Sequence, residues 1–175
     1  MKVYAFICLM LFTYCRIFTA CNTGPAPEKY FDLAVLNTNI TAGFAANGII
    51  RQLESPPAKK EEGPDKTSIE IVNGRIEYLE NNLEKLKALE VTDDTKDILQ
   101  NSLAFNEYIL PVYKTEYTRL AKLYDEAAPR EQVESMAKDI HDRYYTRYDE
   151  LFTKLVSSGK TYAARHNIKV DWQGM

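Results

Sequence analysis

From Thr67 onward the apolar positions recur at alternating steps of three and four residues: Ile69, Val72, Ile76, Leu79, Leu83 and Leu86. That spacing predicts an amphipathic helix with a heptad seam, ending near Glu90. Glu70, Arg75, Glu77, Glu80, Glu84, Lys85 and Lys87 take its other faces as solvated charges. The alternation resumes between Asp97 and about Ala127 through Leu99, Leu103, Asn106, Leu110, Tyr113, Tyr117, Leu120 and Tyr124. It returns from near Glu131 through Val133, Ala137, Ile140, Tyr144, Tyr148, Leu151, Leu155 and Tyr162. Pro111 falls inside the second of these helices, where it lacks a donor and crowds the carbonyl of Glu107, so a kink is expected. The corners are Val91 to Lys96, with Thr92 or Asp94 as cap, and Glu126 to Arg130, where Pro129 suits a turn or a helix start. Gly159 ends or weakens the last helix, and the alternation of Ile168, Val170 and Trp172 predicts an extended tail packed on the helices.

Upstream, Glu28 to Glu54 is also helical in pattern, although β-branched residues and two glycines interrupt its middle. Adjacent prolines, a charge run and Gly63-Pro64 make residues 55–66 an exposed loop. Four amphipathic segments predict an all-α fold, an elongated antiparallel four-helix bundle over residues 30–175 whose third helix spans about 45 Å. A dimeric or continuous coiled coil is the rival, disfavoured by the tyrosines and by the interrupted first helix. Seven Gly and seven Pro are too few for an all-β chain with many turns.

The N-terminus departs from this pattern. Lys2 precedes a run from Val3 to Cys15 that carries no charge and is too short to span a bilayer, which takes about 20 apolar residues. A positive start, an apolar stretch and the small residues Thr19-Ala20 are the parts of a secretory signal peptide, residues 1–20. Cleavage there removes Cys8 and Cys15 and leaves Cys21 as the one cysteine, so no internal disulfide forms. The stretch Ile17-Phe18-Thr19-Ala20-Cys21 resembles the lipobox of bacterial lipoproteins, with Phe18 where that pattern usually has Leu. The resemblance implies that Cys21 carries the acyl chains of a membrane anchor and that residues 21–29, rich in Pro and Gly, form a tether reaching about 30 Å. Asn22, in place of an inner-membrane retention Asp, implies the outer membrane facing the periplasm. As a whole the chain is similar to small helical lipoproteins of Bacteroidetes-like bacteria.

Charge and chemistry narrow the function. Of 22 basic residues, Lys2 and Arg16 lie in the leader, which leaves 20 against 25 acidic. Nothing forms the basic stripe that nucleic acid requires. No Glu-x-x-His pair suggests a bundle metal site, and neither His141 nor His166 has the partners of a zinc site, so no metal or cofactor is expected. Without a nucleophile motif or a phosphate-binding glycine loop, no enzymatic activity is expected either; a secreted enzyme would need polar groups that only the fold brings together. The remaining feature is an aromatic stripe, Tyr113, Tyr117 and Tyr124 on one helix and Tyr144, Tyr148 and Tyr162 on another, with Tyr113, Tyr117, Tyr144 and Tyr148 the candidate ligand contacts. It serves as a wide core layer, or as a groove for a sugar, lipid or peptide opened where Pro111 bends the helix. Ala42, Ala45, Ala46 and Gly48 remove volume on the first segment, which makes a cavity there or admits a bulky neighbour. The expectation is a lipid-anchored, non-catalytic envelope protein that binds a partner protein or a small ligand.

Overall fold

In a computed structural model the chain is described over residues 24–44, 47–54 and 67–172. These residues are helical with no strand among them: α1 Pro27–Ala34, a 3-10 segment Leu36–Thr41, α2 Asn47–Glu54, α3 Ser68–Lys87, α4 Lys96–Val112, α5 Thr118–Asp125 and α6 Arg130–Arg165. The expected signal peptide, Cys21 and the expected loop over residues 55–66 lie outside them. Pro27 opens α1 at a position where a missing N–H costs nothing, so the helix takes in residues assigned above to the tether.

The expected first helix is in pieces. Val35 leaves α-geometry, the chain tightens into the 3-10 segment, and a type II turn follows: Ala42 at φ −53°, ψ 127°, Gly43 at φ 82°, and the Phe44 N–H on the Thr41 carbonyl at 2.8 Å. Glycine is needed there because φ is positive. Breaks of this kind strand backbone carbonyls, and α3 supplies their donors. Asn82 Nδ2 donates to Leu33 O at 3.2 Å, the Arg75 guanidinium to Ile40 O, and Ser68 Oγ to Leu53 O at 3.1 Å. The three donors are one heptad apart and all buried. They set the N-terminal arm antiparallel to α3.

This polar track rotates α3 from its expected orientation. Val72, Leu79 and Leu86 are fully buried, whereas Ile69, Ile76 and Leu83 are only partly covered. Arg75, expected as a solvated charge, is 9 % exposed. Two sources cap the N-terminus of α3. Thr67 and Glu70 form a reciprocal capping box, and the carboxylate of Asp125 accepts from the N–H groups of Ser68 at 2.7 Å and Ile69 at 3.0 Å.

Beyond Pro111 the helix continues, and a π-helical turn at Tyr113–Tyr117 joins α4 to α5. The added residue widens the inward face, so that Tyr113, Glu116, Tyr117, Leu120 and Ala121 are all buried. Ion pairs Lys87–Glu107 and Glu80–Lys114 run α3 antiparallel to α4, and Phe105 against Phe152 with Tyr108 against Tyr144 does the same for α4 and α6. α6 passes through Gly159 without ending. The glycine sits where a Cβ would lie 2.9 Å from Val35 Cγ2, which lets the arm approach. Past Arg165, Asn167 turns at φ 55° with Ile168 N–H on Ala163 O, and the extended tail packs against the core as its pattern suggests. Trp172 meets Phe31 edge-on at 5.8 Å.

Candidate functional site

Three of the four candidate tyrosines come together. Tyr113 and Tyr117 stack at 4.8 Å across the π turn, and Phe44, delivered by the Gly43 turn, fits among them and Tyr148: 5.7 Å from Tyr113, 5.6 Å from Tyr117 and 4.8 Å from Tyr148. Tyr113 is 0 %, Tyr117 1 % and Tyr148 9 % exposed, so these rings are core and Phe44 fills the expected groove. Tyr144 belongs elsewhere. It is half-buried, 6.5 Å from Tyr108, with the Arg143 guanidinium 5.0 Å from its ring centre and the Tyr108 hydroxyl donating to its carbonyl.

The phenols titrate as buried groups do. Burial pushes Tyr113 up to about 12 against the pull of Arg75, whose guanidinium donates to its oxygen at 3.4 Å. Tyr148 is raised by burial and held back by a hydrogen bond with the Thr41 side chain. Neither is poised as a general acid or base near neutrality.

Where the tyrosine layer meets the surface a cavity of about 180 Å³ remains, lined by Thr38, Asn39, Thr41, Gly43, Tyr148 and Phe152. Volume is thus missing on the first segment at Ala42 and Gly43; Ala45 and Ala46 lie outside the described residues. Phe152 and the Gly43 turn were not singled out by the sequence pattern, since a lone Phe beside a seam looks like ordinary packing.

Two charged clusters flank the bundle. Glu116, 9 % exposed within the π turn, accepts from Arg143 at 3.2 Å and Arg119 at 3.5 Å. Asp94, expected as a cap, instead binds Arg165 at 3.0 Å and His166 at 2.7 Å; the Thr92–Thr95 pair holds its corner. Asp139 and Asp142 pair with Arg143 and Lys138, and among the described residues no group of three or more His, Cys, Asp or Glu side chains assembles. No helix among them is long and apolar enough to cross a membrane. Comparison with family models, characterised proteins and solved structures finds no match.

Proposed function

We propose that this chain is a lipid-anchored protein of a bacterial cell envelope, held by acyl chains on Cys21 at the outer membrane on its periplasmic side. In this reading its helices form an elongated antiparallel four-helix bundle that binds a partner rather than catalysing a reaction. The observation that carries it is the sequence Ile17-Phe18-Thr19-Ala20-Cys21 downstream of Lys2 and the uncharged run from Val3 to Cys15. The described fold is consistent with such an anchor: α1 begins at Pro27, so residues 21–26 span about 20 Å if extended and keep the helical body near the bilayer.

Substitution Cys21→Ser tests the anchor. The variant is expected in the soluble fraction of lysed cells while the wild type partitions with membranes, because several acyl chains contribute about 0.8 kcal/mol per buried CH₂. Retention of the variant in membranes, or an unacylated Cys21 in the native N-terminal peptide by mass spectrometry, would refute it.

A further inference from the structure

The start of the arm fixes which end of the body lies nearest residue 21. Leu33 O is held by Asn82, and α1 runs antiparallel to α3, so the residues back to Pro27 carry the chain about 9 Å toward the C-terminal end of α3. The Tyr30 hydroxyl, donating to Glu90 O at 3.3 Å, marks the same level. Pro27 therefore stands beside the corner at residues 88–95 that joins α3 to α4, where Asp94 also holds the end of α6. The corner at residues 126–129 is at the opposite end. Asp125 caps α3 there at Ser68, and the 20 residues of α3 put about 30 Å between the two corners.

The near corner carries the most exposed large apolar side chain among the described residues. Val91 is 59 % exposed, against 37–38 % for Leu36, Tyr78 and Tyr145, which sit on three different elements. The long sides of the body offer no comparable contact. Lys87–Glu107 and Glu80–Lys114 tie α3 to α4 at the surface, and Lys138–Asp142 and Arg147–Glu150 line α6, all half-exposed pairs that hold those sides in water.

The inference rests on the anchor proposed above. With acyl chains on Cys21, residues 21–26 let Pro27 stand no more than about 20 Å from the bilayer, a shorter distance than the length of α3. The near end is thus the one that reaches the lipid. Charge narrows the kind of surface it fits: Glu90, Asp93, Asp94 and Asp97 outnumber Lys96 and Arg165, and the Asp93 side chain is fully exposed. An anionic leaflet, which attracts basic segments, would repel this corner. We propose that residues 88–95 form the membrane-facing tip of the body. Val91 rests among the zwitterionic headgroups of the bilayer that holds the acyl chains, and the corner at 126–129 points away.

The test uses the acylated mature chain in vesicles of phosphatidylcholine and phosphatidylethanolamine. A nitrobenzoxadiazole fluorophore is attached to Val91→Cys or to Glu126→Cys, both exposed positions, and a nitroxide on the lipid headgroup quenches it. Circular dichroism checks that both variants fold. Most of the fluorescence at position 91 should be lost and that at position 126 kept. Exchanging part of the lipid for anionic phosphatidylglycerol should weaken the quenching at position 91 at low salt, and less so at high salt. Sedimentation of the same vesicles reads the anchor separately. A chain left in the supernatant would overturn the anchor and this proposal together. A chain that sediments with both labels quenched alike lies on its side; one with neither quenched, or only position 126, does not meet the lipid with this tip. Each of these results, or stronger quenching of position 91 on phosphatidylglycerol, would overturn the proposal and leave the anchor standing.

Discussion

Phe44 is the residue on which the tyrosine layer closes over Tyr113, Tyr162 is buried beside His166 near the end of α6, and these two phenols give the chain an alkaline limit. Tyr113 and Tyr162 are both pushed up to about 12, chiefly by burial. An unfolded tyrosine ionises near 10, so the unfolded chain releases these protons first. Folding stability is therefore intact below about pH 10 and falls as pH rises from 10 to 12, by about 1.4 kcal/mol per pH unit for each tyrosine. Urea midpoints across that range, with the ultraviolet absorbance of tyrosinate, measure it; a flat profile would contradict the burial of both rings. Gly159 makes a second residue-scale case. Alanine there adds about 1 kcal/mol of helix propensity but drives a Cβ into fully buried Val35, an overpacking that costs about 1–3 kcal/mol. Gly159→Ala should destabilise on balance, and Val35→Ala in that background should recover part of the loss, a non-additivity visible in a double-mutant cycle.

Among the elements, α3 shows how far periodicity carries. Its two apolar heptad tracks were legible as a helix, but which lies deeper was not, because that depends on the flank on which the arm settles. Ser68, Arg75 and Asn82 repeat at the same seven-residue step, and that polar track was the available sign of a buried flank. Leu79→Ala should cost about 2–5 kcal/mol and Leu83→Ala clearly less, as chemical denaturation would show. Equal losses would mean that α3 sits as its apolar seam alone suggests. The broken arm was legible in part: glycines and β-branched residues weakened the helix between Glu28 and Glu54, and Gly43 proved to be the turn. The π turn left no such sign, since Pro111 announces a disturbed helix without saying where the chain absorbs it.

At the scale of the molecule, Asp94 fastens the α3–α4 corner to the end of α6 and, through it, the tail. A half-exposed ion pair to Arg165 and a hydrogen bond to His166 contribute little each, so Asp94→Ala should lower stability by about 1 kcal/mol, with the Arg165 part shrinking in high salt. The single tryptophan, Trp172, lies in that tail against Phe31, and its emission should shift to the red if the tail loosens. The helical class was legible because each long segment keeps one period throughout. Most of the candidate site was not, because it joins a turn from the arm to rings on α6 across more than a hundred residues of sequence, and no local pattern encodes that meeting.

The antiparallel run of donors on α3 has a mechanical side. A pull on the chain at Gly24 loads α1 first and then reaches Asn82, Arg75 and Ser68 in turn, each about 10 Å further along α3. Fastenings met singly yield one by one, as a zip does, and not together as in shear. Each fastening that yields also draws a buried side chain of the arm, Phe31, Val35 or Phe44, out of the core, so the arm would resist in steps between the body and whatever holds the N-terminal end.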